Sequence, residues 1–427
     1  MSVAITSRSV TDGLQFYIDT NNVKSYVGQP TTNLNNQISN YTGSDYAYGG
    51  EWSSDPTRFT KTYNSTISTP IGTGATLCVE SGTAGYHHLS TMGGGGENGL
   101  HSISCYVYPL STISNFTIGM LNDSGNQVSF NLDTKAITYG GSIENRSAFC
   151  VDVPGYPGWL RVGANIEGRV GGWVGCVGIN TGGSYTPSAP YKSFYITGLQ
   201  YEAKQSPTAY VFGTRSVTQG LVDVTGNFSI DLTNASYDSG SVPLFINNGT
   251  TVNTIIATPY NLITNTQTQY TRVAWFYLTS YSSAWSPIIQ NSIGNNSDMG
   301  LTVLSDGKLH FRQYTKTYTS GTTDGDYGVS GTLTASINRW NMGAIAVNRT
   351  ANTVSLYLNG ALDSTSAINV IGNSSSNTII IGGASADSYS GGRMFKGYIS
   401  SAFHYNRILS SDEILKLYNR TKSRYML

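Results

Sequence analysis

The chain has 427 residues, with 24 basic and 24 acidic side chains, and charged residues make up only 11% where ~25% is usual for a soluble domain. A formal net charge of zero and the lack of any basic block exclude the electrostatic footprint of a nucleic-acid binder. No apolar run reaches the ~18 residues of a membrane span, and residues 1–14 lack the basic and apolar regions of a secretory leader, so synthesis in the cytoplasm without membrane insertion is expected.

The length suits two or three domains. Thr, Tyr, Val and Ile are plentiful, Glu, Lys and Ala are scarce, and 49 glycines join many Asn and Ser residues, so short strands bounded by turns are expected nearly throughout. The class is all-β. Ser7-Arg8-Ser9-Val10-Thr11-Asp12-Gly13-Leu14 recurs as Thr214-Arg215-Ser216-Val217-Thr218-Gln219-Gly220-Leu221, with six of eight positions identical. A repeat so widely spaced marks the start of two modules rather than a repeat array.

Residues 1–45 hold one apolar run, Leu14-Gln15-Phe16-Tyr17-Ile18, and then turn polar through Asn33, Asn35, Asn36 and Asn40. This predicts one strand and a long arm held against its own domain or a neighbouring subunit. Residues 46–213 alternate with period 2, as in His101-Ser102-Ile103-Ser104-Cys105-Tyr106-Val107-Tyr108, which predicts an antiparallel sandwich. Gly93-Gly94-Gly95-Gly96 lacks the following Gly-Lys-Ser/Thr of a phosphate loop and reads as a plain loop.

The four cysteines, Cys78, Cys105, Cys150 and Cys176, show no C-x-x-C spacing. Their apolar contexts predict buried free thiols, with a disulfide between neighbouring strands as the alternative. Trp159-Leu160-Arg161-Val162, then Phe194-Tyr195-Ile196-Thr197-Gly198-Leu199-Gln200-Tyr201-Glu202 and Pro207-Thr208-Ala209-Tyr210, resembles the carbohydrate-binding-module-type jelly roll of many phage tail and fibre proteins. The resemblance implies that the W-x-R and G-x-Q-x-E strands are core and closing elements, not ligand contacts.

Residues 214–221 form the module junction, and residues 222–427 the second sandwich. Trp340-Asn341-Met342-Gly343-Ala344-Ile345-Ala346-Val347 and Val354-Ser355-Leu356-Tyr357-Leu358 predict two strands. Asn359-Gly360 supplies the positive φ angles of a type I′ hairpin. Further strands are expected at Asn377-Thr378-Ile379-Ile380-Ile381-Gly382-Gly383 and from Phe395 to Tyr405. Ser410-Ser411-Asp412-Glu413 is a capping box, and Ile414, Leu417 and Tyr418 follow at helical spacing, so one short helix closes the chain. This order resembles the concanavalin A-like (laminin G-like) lectin fold in its phage-borne version, F-x-G-x-I followed by Y-N-R-x-L-S-x-x-E-I, here Phe395, Gly397, Ile399, Tyr405, Asn406, Arg407, Leu409, Ser410, Glu413 and Ile414. The full expectation is two tandem antiparallel jelly-roll β-sandwiches with an N-terminal arm and one short C-terminal helix.

Glycan hydrolysis needs two carboxylates at a fixed separation. The second half has no glutamate before Glu413, which is taken by the helix cap, and Glu80, Glu97, Glu144, Glu167 and Glu202 are scattered, so an enzyme is not expected. The five histidines show no H-E-x-x-H or H-x-H, and His87 and His88 point to opposite sides of a strand. Asp324 and Asp326 in Thr323-Asp324-Gly325-Asp326-Tyr327-Gly328 offer oxygen ligands for Ca²⁺, but D-G-D is a common hairpin turn and a full Ca²⁺ loop is missing, so a plain turn is the leading reading. Tyr281, Trp285, Tyr327 and Tyr389 stand in polar, loop-like contexts suited to stacking on sugar rings. The two resemblances together imply a phage virion protein displayed as a fibre, decoration or tail component. Its partners would be other virion proteins, further copies of itself and host surface polysaccharide, with a receptor-binding adhesin as the rival reading.

Overall fold

The computed structural model describes residues 10–22, 24–32, 58–85, 87–90, 99–120, 126–140, 147–168, 175–179, 184–204, 206–211, 214–235, 245–248, 255–259, 267–281, 285–291, 297–315, 325–367, 378–383 and 395–425. The chain divides into two compact units, residues 1–30 with 216–427, and residues 31–215. The second is an insertion within the first.

The first strand, β1 (Leu14–Asp19), pairs antiparallel with the last, Leu14 opposite Tyr405 and Asp19 opposite Ser401. The sequence places this strand in an arm of its own, whereas the structure makes it an integral strand of the C-terminal sandwich. The physical reason is that both of its faces are apolar. Phe16 and Ile18 enter the core between the sheets, while Tyr17 stacks on Phe403 at 4.6 Å on the far side.

The inserted unit runs through β2 (Thr31–Thr32), β3 (Phe59–Thr69), β4 (Gly72–Glu80), β5 (His87–Ser90), β6 (Gly99–Pro109), β7 (Phe116–Met120), β8 (Gln127–Phe130), β9 (Ile137–Tyr139), β10 (Ala148–Asp152), β11 (Leu160–Gly168), β12 (Gly175–Ile179), β13 (Ser193–Glu202) and β14 (Thr214–Arg215). One sheet has the order β10-β11-β6-β13-β4-β3 and the other β5-β12-β7-β8-β9, while β2 and β14 pair with each other. Alternation decides what lies between the sheets. Ile103, Cys105 and Val107 of β6, Val162 and Ala164 of β11, and Phe194 and Ile196 of β13 build one core. All four cysteines are buried and none forms a disulfide, as expected, and burial pushes the Cys78 thiol up to about 12 and that of Cys150 to about 11.

The returning chain forms β15 (Phe228–Asp231), β16 (Phe245–Asn248), β17 (Ile255–Pro259), β18 (Gln269–Leu278), β19 (Trp285–Asn291), β20 (Ser297–Leu304), β21 (Lys308–Thr315), β22 (Gly325–Thr334), β23 (Trp340–Asn348), β24 (Thr353–Leu358), β25 (Ala361–Ala367), β26 (Ile379–Ile381), β27 (Lys396–Tyr405) and the helix α1 (Ser411–Thr421). One sheet has the order β1-β27-β18-β23-β24-β25, with β16 also on β27, and faces a second of order β15-β17-β26-β19-β20-β21-β22. Asn359 and Gly360 both have positive φ, +51° and +84°, as the I′ hairpin between β24 and β25 requires. Ser410 caps α1 with a complete capping box. The helix lies over the outer face of the first sheet, where Ile414, Leu417 and Tyr425 join Trp275, Met342 and Phe403 in a second apolar layer. Trp275 stacks on Tyr425 at 4.2 Å and donates its indole N–H to Thr421 Oγ1 at 2.8 Å.

The two copies of the octapeptide differ in backbone at their glycines. Gly13 has φ +72° directly before β1, whereas Gly220 is not left-handed and is followed by an isolated bridge between Leu221 and Tyr26. A Cβ at Gly220 would lie 2.6 Å from the Gly28 carbonyl, so that glycine serves close backbone packing. Residues 10–14 lead into β1 and residues 214–221 span the return from the insertion, so the two copies do not open two separate modules.

Candidate functional site

The motifs that carry the resemblances are committed to bonds inside their own unit. In the inserted unit, the Glu202 carboxylate is fully buried and accepts from Thr31 Oγ1 at 2.7 Å, Gln200 Nε2 at 2.6 Å, Thr208 N at 3.0 Å and Thr208 Oγ1 at 2.6 Å. Gln200 Oε1 accepts from Val211 N at 2.7 Å, and Arg161 donates to the Thr208 carbonyl. W-x-R and G-x-Q-x-E therefore staple the closing segment 206–211, the role the resemblance implies. Four donors satisfy the buried carboxylate without a cation.

In the enclosing unit, Arg407 grips Glu413 with two parallel bonds of 2.9 and 2.7 Å and also reaches the Asp12 carbonyl. Asp223 accepts from the backbone of Tyr17, Thr225, Asn227 and Phe228. Asp19 accepts from Tyr17 Oη and pairs with Arg424 at 2.5 Å. Glu80, buried at the end of β4, accepts from the Tyr185 hydroxyl, with His87 Nδ1 at 3.6 Å. Each of these carboxylates has a structural occupation. Among the described residues no group of three His, Cys, Asp or Glu side chains is placed to hold a metal.

Of the four aromatic candidates, only Tyr281 has its side chain among the described residues. Tyr281 is half-buried, donates its hydroxyl to the Ala335 carbonyl at 2.7 Å and stands where a Cβ on Gly307 would be, so its ring locks a turn. Trp285 opens β19 opposite Leu304, and Tyr327 lies in β22 opposite Gln313. Following the register across β20 and β21, Trp285 is level with Thr334, seven residues along β22 from Tyr327 and so ~23 Å away. Asp326 is the residue before Tyr327 in β22; Tyr389 and Asp324, and the side chains of Trp285, Tyr327 and Asp326, lie outside the described residues. His87 and His88 are both buried, and His87 Nε2 is 3.0 Å from the Thr83 carbonyl.

A candidate surface for a ligand lies on the outer face of the six-stranded sheet of the inserted unit. Tyr106 and Tyr108 interleave with Cys105 and Val107 in β6, so they emerge on the face away from the core, as does Tyr195 between Phe194 and Ile196 in β13. Register sets Tyr108 directly opposite Tyr195, Tyr195 opposite Leu77, and Leu77 opposite Thr62. The result is a row of two half-buried tyrosines, a half-buried leucine and an exposed threonine across four strands.

Trp159 holds Tyr108 edge-on at 5.7 Å, and Gly158 leaves room for that ring, since a Cβ there would lie 2.4 Å from Tyr108 Cε2. In the adjacent row Arg161 lies over Tyr106 and Phe149 at 5.7 and 5.3 Å, and Tyr210 packs edge-on to Tyr106. That row is held by the closing segment, and Tyr108 and Tyr195 stand half-buried beside it. Cross-strand neighbours stand ~5 Å apart, the scale of one pyranose ring, and phenol rings offer both an apolar face and a hydroxyl. The signal was present in the sequence as aromatic residues in the polar phase of an alternating strand.

Fold and surface define a pair of antiparallel β-sandwiches with a solvent-facing aromatic row and fully occupied buried carboxylates. Residues 247–415, within the enclosing unit, match the family model described as the concanavalin A-like lectin/glucanases superfamily. No curated protein matches the sequence. Among solved structures, the chain is similar to the botulinum neurotoxin serotype G binding domain, at 15% identity and a TM-score of 0.37, over 48% of this chain and 49% of that one. It is also similar to the botulinum neurotoxin DC binding domain in complex with rat synaptotagmin II, at 17% and 0.35, and in complex with SialylT, at 18% and 0.35, each over 47% of this chain and 48% of the other. The likeness spans about half of each chain.

Proposed function

We propose that this protein is a non-catalytic surface component of a bacteriophage particle that holds polysaccharide weakly through its inserted sandwich. The observation that carries the reading is the Tyr108–Tyr195 row, an aromatic strip on the open face of a sheet whose buried carboxylate, Glu202, is consumed by structure. The lectin-type domain around it supports the same class of ligand. Display on a virion rests on the resemblance of both sandwiches to phage tail and fibre modules. Binding without cleavage is the expected chemistry, because hydrolysis needs a carboxylate pair flanking one bond, and Asp19, Glu80, Glu202, Asp223 and Glu413 are each engaged elsewhere.

The test is binding of purified full-length protein to host capsule and lipopolysaccharide, by titration calorimetry or a glycan array. Y108A and Y195A are each expected to weaken binding about tenfold, since stacking of this kind is worth ~1–1.5 kcal/mol, while circular dichroism shows the β-fold retained. Binding to no host polysaccharide, or binding indifferent to both substitutions, would overturn the proposal. Release of reducing sugar would instead establish an enzyme.

A further inference from the structure

Strand β18 sends Tyr270, Ala274, Phe276 and Leu278 into the core between the two sheets of the enclosing unit, and alternation sends Arg272 to the same face. Arg272 is 3% exposed. Its Nη2 donates to Asn291 Oδ1 on the facing sheet, but Nε and Nη1 have no hydrogen-bond partner. The wall beside Nη1 is Gly300, at a β-bulge with φ +86°, where a Cβ would lie 2.9 Å from that nitrogen. A glycine at this point leaves the guanidinium its space.

The surroundings add positive charge. The Arg272 guanidinium carbon is 4.9 Å from the centre of the Tyr270 ring, and that of Arg349 is 5.6 Å from the same centre. Directly opposite Arg272 on β27 stands His404, 5% exposed, with Nε2 3.2 Å from Gln267 Oε1. Burial first, and the charge of Arg272 second, hold its imidazole well below the usual range and hence neutral. Among the described residues no carboxylate pairs with Arg272. A guanidinium does not escape burial by losing its proton, and an uncompensated buried charge costs more than one ring contact returns. Water would satisfy the two N–H groups and leave the buried charge of Arg272 unbalanced.

We propose that Nε and Nη1 of Arg272 hold a small inorganic anion of the size and charge of chloride inside the concanavalin A-like sandwich. Asn291 and the Tyr270 ring fix the guanidinium plane, and Arg349 raises the local positive potential. The anion is a structural ion, independent of any glycan bound on the inserted unit.

Two measurements on the full chain test it. At constant ionic strength, replacing gluconate by chloride or bromide is expected to raise the melting temperature of the enclosing unit saturably, by several degrees, and R272M to abolish that dependence. Crystals of the unaltered protein soaked in bromide are expected to show an anomalous peak within hydrogen-bonding reach of Nε and Nη1. This second readout stands even if R272M fails to fold. Equal melting in gluconate and chloride, together with a site holding only ordered water, would overturn the proposal.

Discussion

Glu413 joins three pieces of chain through one carboxylate. It accepts the two Arg407 bonds, accepts Ser410 N at 2.9 Å to complete the cap, and through Arg407 reaches the Asp12 side chain at 2.9 Å. The Arg407 hydrogen bonds are the main reason its carboxyl is held down at about 2. A carboxyl lowered on folding contributes stability that is complete above its unfolded value of ~4.3 and is lost as pH falls toward the folded value. E413Q is therefore expected to lower the melting temperature at pH 7, and the gap from wild type should begin to close below about pH 4.5 and vanish near pH 2. Melts across that range check it, and a gap persisting at pH 2 would show that the bonds matter through geometry rather than charge. This site was legible in the sequence because a capping box is local chemistry between residues three apart. The Arg272 environment was not, since nothing in Gln269–Leu278 shows that the facing sheet would offer it the Asn291 amide and the space left by Gly300.

At the scale of elements, β1 carries the largest consequence. Its pairing with β27 spans nearly the whole chain, and a short apolar run says that a strand exists without saying which edge it joins. Alternation and turn chemistry predicted the hairpin at Asn359-Gly360 and the strands around it, where pairing partners are adjacent. Burial of Phe16, Tyr17 and Ile18 at 0%, 3% and 2% exposure is worth ~1.5–3 kcal/mol each. Their sum is comparable to the whole stability of a typical domain, ~5–15 kcal/mol. Residues 222–427, the division the sequence suggests, also omit Val217 and Leu221, which pack in the same core. That fragment is expected to aggregate or to lack a cooperative melt, and adding a peptide of residues 10–30 should restore one by strand addition. A scrambled peptide should not, and a fragment that folds unaided would refute the assignment of β1 as an essential strand.

At the scale of the molecule, the insertion is closed at its root from both sides. Within the enclosing unit, Val27 N and Gly28 N both donate to the Gly220 carbonyl, at 2.9 and 3.2 Å, and Ser25 Oγ donates to the Val222 carbonyl at 2.7 Å. Within the inserted unit, Thr31 and Thr32 pair with Arg215 and Thr214. Each unit thus brings its own chain ends to within a backbone hydrogen bond, and each has its own apolar core. Two tandem domains, the simplest reading of two successive resemblances, would need neither closure. Because loop-closure cost changes by only ~0.6 kcal/mol per doubling of length, exchanging residues 31–215 for a linker of about four Gly and Ser residues should leave the enclosing sandwich intact. The full chain should melt in two transitions. The linker form should keep one of them within a few degrees, residues 31–215 alone should keep the other, and polysaccharide binding should travel with residues 31–215. A single concerted transition in the full chain, or a linker form that fails to fold, would mean that the outer sandwich depends on the inserted one for its stability.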